Sequence, residues 1–158
     1  MSPSNDLRCR GCAAPLPAPF LDLGRTPLAN AYLKETDLDR PEPTFPLATA
    51  FCGSCHLVQL THVVPPEQLF TEYLYFSSYS TSFLEHARRM AAELTEAYAL
   101  GPKSKVLEIA SNDGYLLRYF QERGIEVLGI EPARNIAFEA ERSGVPTLNR
   151  FFGPGAVA

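Results

Sequence analysis

All four cysteines of this 158-residue chain fall in two pairs, Cys9-x-x-Cys12 and Cys52-x-x-Cys55. Two residues between cysteines let both sulfurs of a knuckle face one point, and Gly11 and Gly53 suit the tight turns required. Four thiolates at ~2.3 Å around one ion make a tetrahedral zinc site, and a closed shell of this kind leaves no position for a substrate. The expected zinc is therefore structural. His56 and His62 lie close in sequence, but four sulfurs already complete the shell. Two alternatives stand against zinc. Structural disulfides belong to oxidising compartments, and a thioredoxin-type pair belongs at a strand-to-helix junction rather than in a proline-rich leader.

A second constellation follows at Val106-Leu107-Glu108-Ile109-Ala110-Ser111-Asn112-Asp113-Gly114. It reads as a strand, a turn of small residues and a helix, the order in which α/β folds build a nucleotide site. Glu108, Ala110, Ser111, Asn112 and Gly114 are the candidate cofactor residues of the turn. Glu131 ends the next predicted strand, 23 residues after Glu108, where an acid accepts hydrogen bonds from ribose hydroxyls. Pro132 beside it is a candidate for the adenine. A nicotinamide dinucleotide is one possible ligand, but Ala110 and Asn112 stand where a pyrophosphate needs glycine. S-adenosylmethionine has no pyrophosphate and suits such a turn better. A turn with no ligand remains the plain structural alternative.

These residues need elements to position them. Ten of the 14 prolines precede residue 67, so the first part is poor in helix and needs a staple. Residues 1–66 form the expected zinc module, with a strand over Phe20–Leu23 ended by Gly24, a charged loop over Lys34–Pro46 and a strand over Leu57–Val64. Residues 67–104 form an aromatic loop and a helix, with a short helix in Glu67–Phe76. Ser82 with Glu85 predicts a capping box, and Phe83, Ala87, Met90, Leu94 and Tyr98 recur at helical spacing. Residues 105–158 read as β-α-β-α: a buried strand Val106–Ile109, helix Gly114–Arg123, strand Ile125–Ile130, helix Asn135–Ser143 and a third strand within Thr147–Phe152. The net charge is −4, and residues 1–66 hold five Lys/Arg against six Asp/Glu. Neither favours nucleic acid. No apolar leader and no run of ~18 apolar residues is present, so the expectation is a cytoplasmic protein without membrane contact.

The motifs resemble those of the S-adenosylmethionine-dependent sugar C-methyltransferases. The resemblance runs in order through the two cysteine pairs, Leu23-Gly24-x-x-Pro27-Leu28-Ala29-Asn30, Gln59-Leu60, Tyr73-Leu74-Tyr75-x-Ser77-Ser78, the Val106–Gly114 turn, Gly129-Ile130-Glu131-Pro132-Ala133 and Phe151-Phe152-Gly153. It implies a small zinc-binding β-rich module followed by the start of an α/β, Rossmann-like class I methyltransferase domain. It also implies methyl transfer to a carbon of a nucleotide-linked keto-deoxysugar. Family members carry a further C-terminal domain. Their Tyr/Glu/His cluster at the sugar would lie beyond Ala158, so the expectation is a truncated chain with little or no turnover of its own.

Carbon methylation needs a proton removed beside a ketone, and the enolate then attacks the sulfonium methyl in line. Tyr75 is the preferred local catalytic residue, as a phenol able to donate to the enolate oxygen. Tyr73, Ser77, Ser78 and Tyr79 are candidates for the sugar nucleotide, although these rings could equally serve packing alone. His86 is expected to be an exposed or structural residue rather than the base. Two other classes remain open here: a zinc-ribbon interaction or nucleic-acid module without catalysis, and an O- or N-methyltransferase of small metabolites.

Overall fold

The computed structural model describes residues 7–153 and 155, and the chain divides at Pro65/Pro66 into two compact units. The first unit is a three-stranded antiparallel sheet, β1 (Leu21–Thr26), β2 (Phe45–Phe51) and β3 (Val58–Leu60), with β2 central. The strand expected to end at Gly24 continues through it. Its register against β2 shifts between Asp22 and Arg25, and Asp22 Oδ1 accepts the Gly24 N–H at 2.8 Å inside that bulge.

β2 begins inside the stretch expected to be loop. Proline removes a ladder donor, which argued against a strand there. Pro46 is tolerated because β3 pairs only with Thr49–Phe51, leaving β2 without a β3 neighbour at that end. Ala48, Ala50 and Gln59 point inward and are buried, and Cys9, Leu16, Ala50 and Cys52 form the small core. The other face exposes Leu21, Phe51, Val58 and Leu60.

The second unit opens with α1 (Pro66–Phe70), a loop, and α2 (Thr81–Ala97). The cap of α2 is Ser80, not Ser82. Ser80 is extended, and its Oγ accepts the Phe83 N–H at 3.3 Å. Glu85 is released from any capping box and pairs with Arg88 at 2.9 Å. Ala87 and Ala91 face the core as their spacing requires, but Tyr98 is 72% exposed beyond the last turn. His86 is exposed and stacks on Phe83.

β4 (Lys105–Ile109), β5 (Glu126–Ile130) and β6 (Thr147–Leu148) form a parallel sheet in that order. They are linked by α3 (Leu117–Gln121) and α4 (Arg134–Arg142). Two sequence expectations are corrected here. β4 is an edge strand and not a buried one, with Leu107 46% and Ile109 50% exposed, because its only strand partner among the described residues is β5. Regular α3 starts at Leu117 rather than Gly114, because Gly114 lies in the left-handed region at φ 76°. The core gathers Ala87, Ala91, Leu117, Phe120, Val127 and Val145 from α2, α3, β5 and the approach to β6.

Candidate functional site

The knuckles bring the four cysteine sulfurs within 4.8 Å of one another. Cys9 and Cys55 stand 3.5 Å apart, and Cys12 and Cys52 3.6 Å. A tetrahedron with ~2.3 Å bonds has edges of ~3.8 Å, so the donor set fits a zinc ion, and no disulfide links these residues. Burial opposes ionisation of Cys9, but N–H donors from Cys12, Gln59 and Gly11 outweigh it and hold the thiol down at about 6. Backbone donors from Cys55 and Ser54 lower Cys52. Cys55 accepts from Leu57, yet the sulfurs of Cys9, Cys12 and Cys52 push it up to about 12. Thiols crowded about one point compete for ionisation in this way, and a dication at that point would favour all four thiolates.

In the second unit a pocket of about 370 Å³ opens where β4 and β5 end, within the size range of small-molecule sites. Ile109, Ala110 and Asn112 line it from β4 and its turn, and Ile130, Glu131 and Pro132 from β5. Pro66, Phe70 and Tyr73 form one further wall, and Phe151 and Phe152 another. Phe70 meets Tyr73 edge-on with ring centroids 5.9 Å apart.

Glu131 is 6% exposed, and its two oxygens accept the N–H groups of Asn112 at 3.0 Å and Ala133 at 2.9 Å. Each carboxylate oxygen keeps a lone pair for a further donor. Three amides of the turn are already engaged. Ser111 N–H donates to Ile130 O at 3.2 Å, Asn112 N–H to Glu131, and Gly114 N–H to Ser111 O at 3.2 Å. A phosphate cradle needs such amides free.

The remaining turn residues separate into different tasks. Ser111 is fully buried against Gly129, where any Cβ would lie 2.4 Å from its Oγ. Its hydroxyl therefore packs inside the sheet rather than lining the pocket. Gly114 also faces the interior, since a Cβ there would meet Val145 at 2.7 Å. Glu108 is absent from the pocket wall. It lies on the inner side of β4, and burial, with repulsion from Asp113 and Glu131, pushes its carboxyl up to about 7 against the favourable Tyr115 hydroxyl. Burial and the nearby Glu108 likewise push Tyr115 up to about 12. Glu108 Oε2, Asp113 Oδ1 and Ser111 Oγ are buried without a hydrogen-bond partner. With Glu131, this makes the strand ends acidic.

The aromatic loop is fastened to this turn and to α4. Asn112 accepts the Ser77 N–H at 2.9 Å and donates to Tyr75 O at 3.2 Å. Asp113 accepts the Ser78 N–H at 3.1 Å. Asn135 accepts the Tyr73 N–H at 3.0 Å and donates to Tyr73 O at 2.5 Å. Tyr73 therefore joins the pocket. Ser77, 6% exposed, acts as an anchor of the loop, and Tyr79, 80% exposed, stacks outward on Phe76 at 5.1 Å. Tyr75 is 51% exposed and close enough to Tyr115 to bear on its ionisation. Sequence reasoning had not singled out Phe70, Asn135 and Asn149 for the site. Asn149 donates to the carbonyls of Glu131 and Pro132, at 2.9 Å each. Phe151 and Phe152 were read only as the end of the third-strand stretch and as part of the resemblance, without a role; the strand itself stops at Leu148.

A sulfur tetrad that fits zinc and a parallel α/β sheet with a pocket at its strand ends are the two parts the resemblance called for. Residues 9–70 match the family described as "Putative zinc binding domain". Over 140 residues the chain is 36% identical to "C-methyltransferase NovU" of Streptomyces niveus, an alignment covering 89% of this chain and 33% of that enzyme. Residues 9–70 thus carry this zinc-binding domain, and most of the chain is similar to a C-methyltransferase. The chain spans about a third of the length of the curated relative it matches, 33%. The X-ray structure of YjhP from E. coli shares 20% identity at a TM-score of 0.33, covering 38% of this chain and 28% of that one. That likeness is too slight to bear on the fold.

Proposed function

We propose that the second unit binds the adenosyl part of S-adenosylmethionine and belongs to an enzyme that methylates carbon. The observation that carries this reading is a turn in which the Ser111, Asn112 and Gly114 amides are already engaged, set among carboxylates. Such a turn offers a pyrophosphate little and repels it, whereas a cationic donor is favoured there. The apolar aromatic walls suit a flat base, and Glu131 has lone pairs left for the ribose hydroxyls. When bound, this donor supplies an electrophilic methyl group on a sulfonium. Ala110, Asn112, Glu131 and Pro132 then contact it, while Glu108, Ser111 and Gly114 act through the turn and its charge.

The finer reading concerns the acceptor, a nucleotide-linked keto-deoxysugar. Tyr75 donates a hydrogen bond to the enolate oxygen that forms when a base removes the proton beside the ketone. Tyr79 and Ser78 lie on the same loop and contact the sugar nucleotide.

Titration calorimetry separates the donors. S-adenosylhomocysteine is expected to bind one per chain, with NAD far weaker. Preference for NAD overturns the reading, as does failure of S-adenosylhomocysteine to bind both this chain and a protein extended to the relative's length. Product analysis with that longer protein and a keto-sugar nucleotide tests the acceptor: a C-methylated sugar is expected, and an O- or N-methylated product refutes it.

A further inference from the structure

Gln59 lies on β3 opposite Ala50, is 5% exposed, and has both ends of its amide occupied. Its Nε2 donates to Cys9 Sγ at 3.1 Å, and its Oε1 accepts the Arg10 N–H at 3.0 Å. Chemistry fixes this orientation. Flipping the amide would set an oxygen against sulfur and an NH₂ against an N–H, losing both bonds. Glutamate could not donate to the sulfur, and lysine could not accept from the backbone. Cys9 also accepts the Gly11 N–H at 3.4 Å and is 3% exposed, whereas Cys12 and Cys55 are exposed. Four thiolates around a dication leave net negative charge, and the buried sulfurs of Cys9 and Cys52 bear it with less help from water than the exposed pair. N–H donors aimed at the Cys9 sulfur offset the cost.

We propose that Gln59 is a positioning residue of the zinc centre: from β3 it grips the first knuckle at Arg10 and steadies Cys9 as a ligand, and so sets how tightly the metal is held. Outer groups of this kind typically alter metal affinity ~10–100-fold.

The test uses the whole chain. In cadmium-113-substituted protein, scalar coupling across the N–H···S bond should join the metal to a Gln59 side-chain amide proton, with the Gly11 amide as internal reference. Gln59→Met, which removes the donor at similar size, should weaken zinc about 10–100-fold in chelator competition. Gln59→Glu keeps an acceptor for Arg10 but turns a carboxylate on Cys9, and should weaken zinc at least as much. The cobalt-substituted variants should also show a shifted sulfur-to-metal charge-transfer band. A merely structural glutamine would lower the melting temperature and leave coupling, affinity and band untouched. Absence of coupling to Gln59 where Gly11 shows it overturns the proposal, even if a variant fails to fold. Folded variants that hold zinc within about twofold of the parent overturn it as well.

Discussion

The two units hold their sites by opposite means. In the first, the site is the core: Cys9 and Cys52 belong to the sulfur tetrad that fits zinc and are also half of the buried cluster they form with Leu16 and Ala50. In the second, the apolar core of α2, α3 and β5 stands by itself, and the pocket opens at the strand ends. The difference teaches where function and stability can be separated. Altering a pocket residue should leave the second fold standing, whereas altering a ligand should take the first fold with it.

The largest effect should come from Cys52→Ser. Structural zinc contributes ~10–16 kcal/mol of apparent binding free energy in small modules, more than a core of four buried residues can replace. The variant should lose its metal and the amide dispersion of residues 7–65, while amides of residues 105–148 keep their protection. A strong chelator should do the same to the parent chain. A first unit that stays folded without metal would break the comparison.

Next comes Gly114→Ala. Its φ of 76° costs a residue with a Cβ ~1–2 kcal/mol, and the 2.7 Å approach to Val145 adds ~1–3 kcal/mol of overpacking. Together these should lower the melting transition of the second unit by about 10 °C or more while leaving zinc content unchanged. Gly101→Ala, which meets nothing within 4 Å, is the control. Equal melting temperatures for the two variants would remove the packing argument.

A smaller effect should separate site from fold inside the second unit. Asn135→Ala deletes both bonds to Tyr73, each contributing ~0.5–1.5 kcal/mol, and loosens the wall that Tyr73 and Phe70 form. S-adenosylhomocysteine affinity should fall about tenfold, with the core amides unmoved. Asn135→Asp, which still accepts the Tyr73 N–H, should recover part of it. Parent-like affinity in the alanine variant would show that the wall needs no such fastening.

The same contrast explains what the sequence made legible. The candidate zinc ligands come in two local pairs, so spacing alone marked them, and a metal would supply the long-range contact. Glu131 and the small-residue turn were legible because they recur at fixed offsets in βαβ units. The aromatic walls come from residues 66–73 and 151–152, far apart in sequence and indistinguishable by type from core residues. Asn135 reads as an ordinary first-turn residue, and only the fold sets it against Tyr73. β2 was hidden because Pro41, Pro43 and Pro46 signal a loop, and only the shortness of β3 makes Pro46 acceptable. Gly114 looked like the first residue of a helix, although its φ and its contact with Val145 hold it in the turn.

The subtlest prediction concerns pH and Glu108. Its carboxyl titrates near 4.5 in an unfolded chain and at about 7 in the fold, raised chiefly by burial. Between those values the folded state holds more protons, so stability of the second unit should fall as pH rises from 4.5 to about 7 and level off above. Glu108→Gln should flatten that slope. Binding of S-adenosylmethionine should run the other way. A cationic ligand favours the ionised carboxylate, so affinity should rise through the same window, by up to about tenfold per pH unit, with protons released on binding. Opposite slopes in one protein, both abolished by Glu108→Gln, would tie the acidic strand ends to the cation. Affinity independent of pH in the parent chain would leave the Glu108 charge without a part in binding, and the preference for a cationic donor would then rest on Glu131 and Asp113.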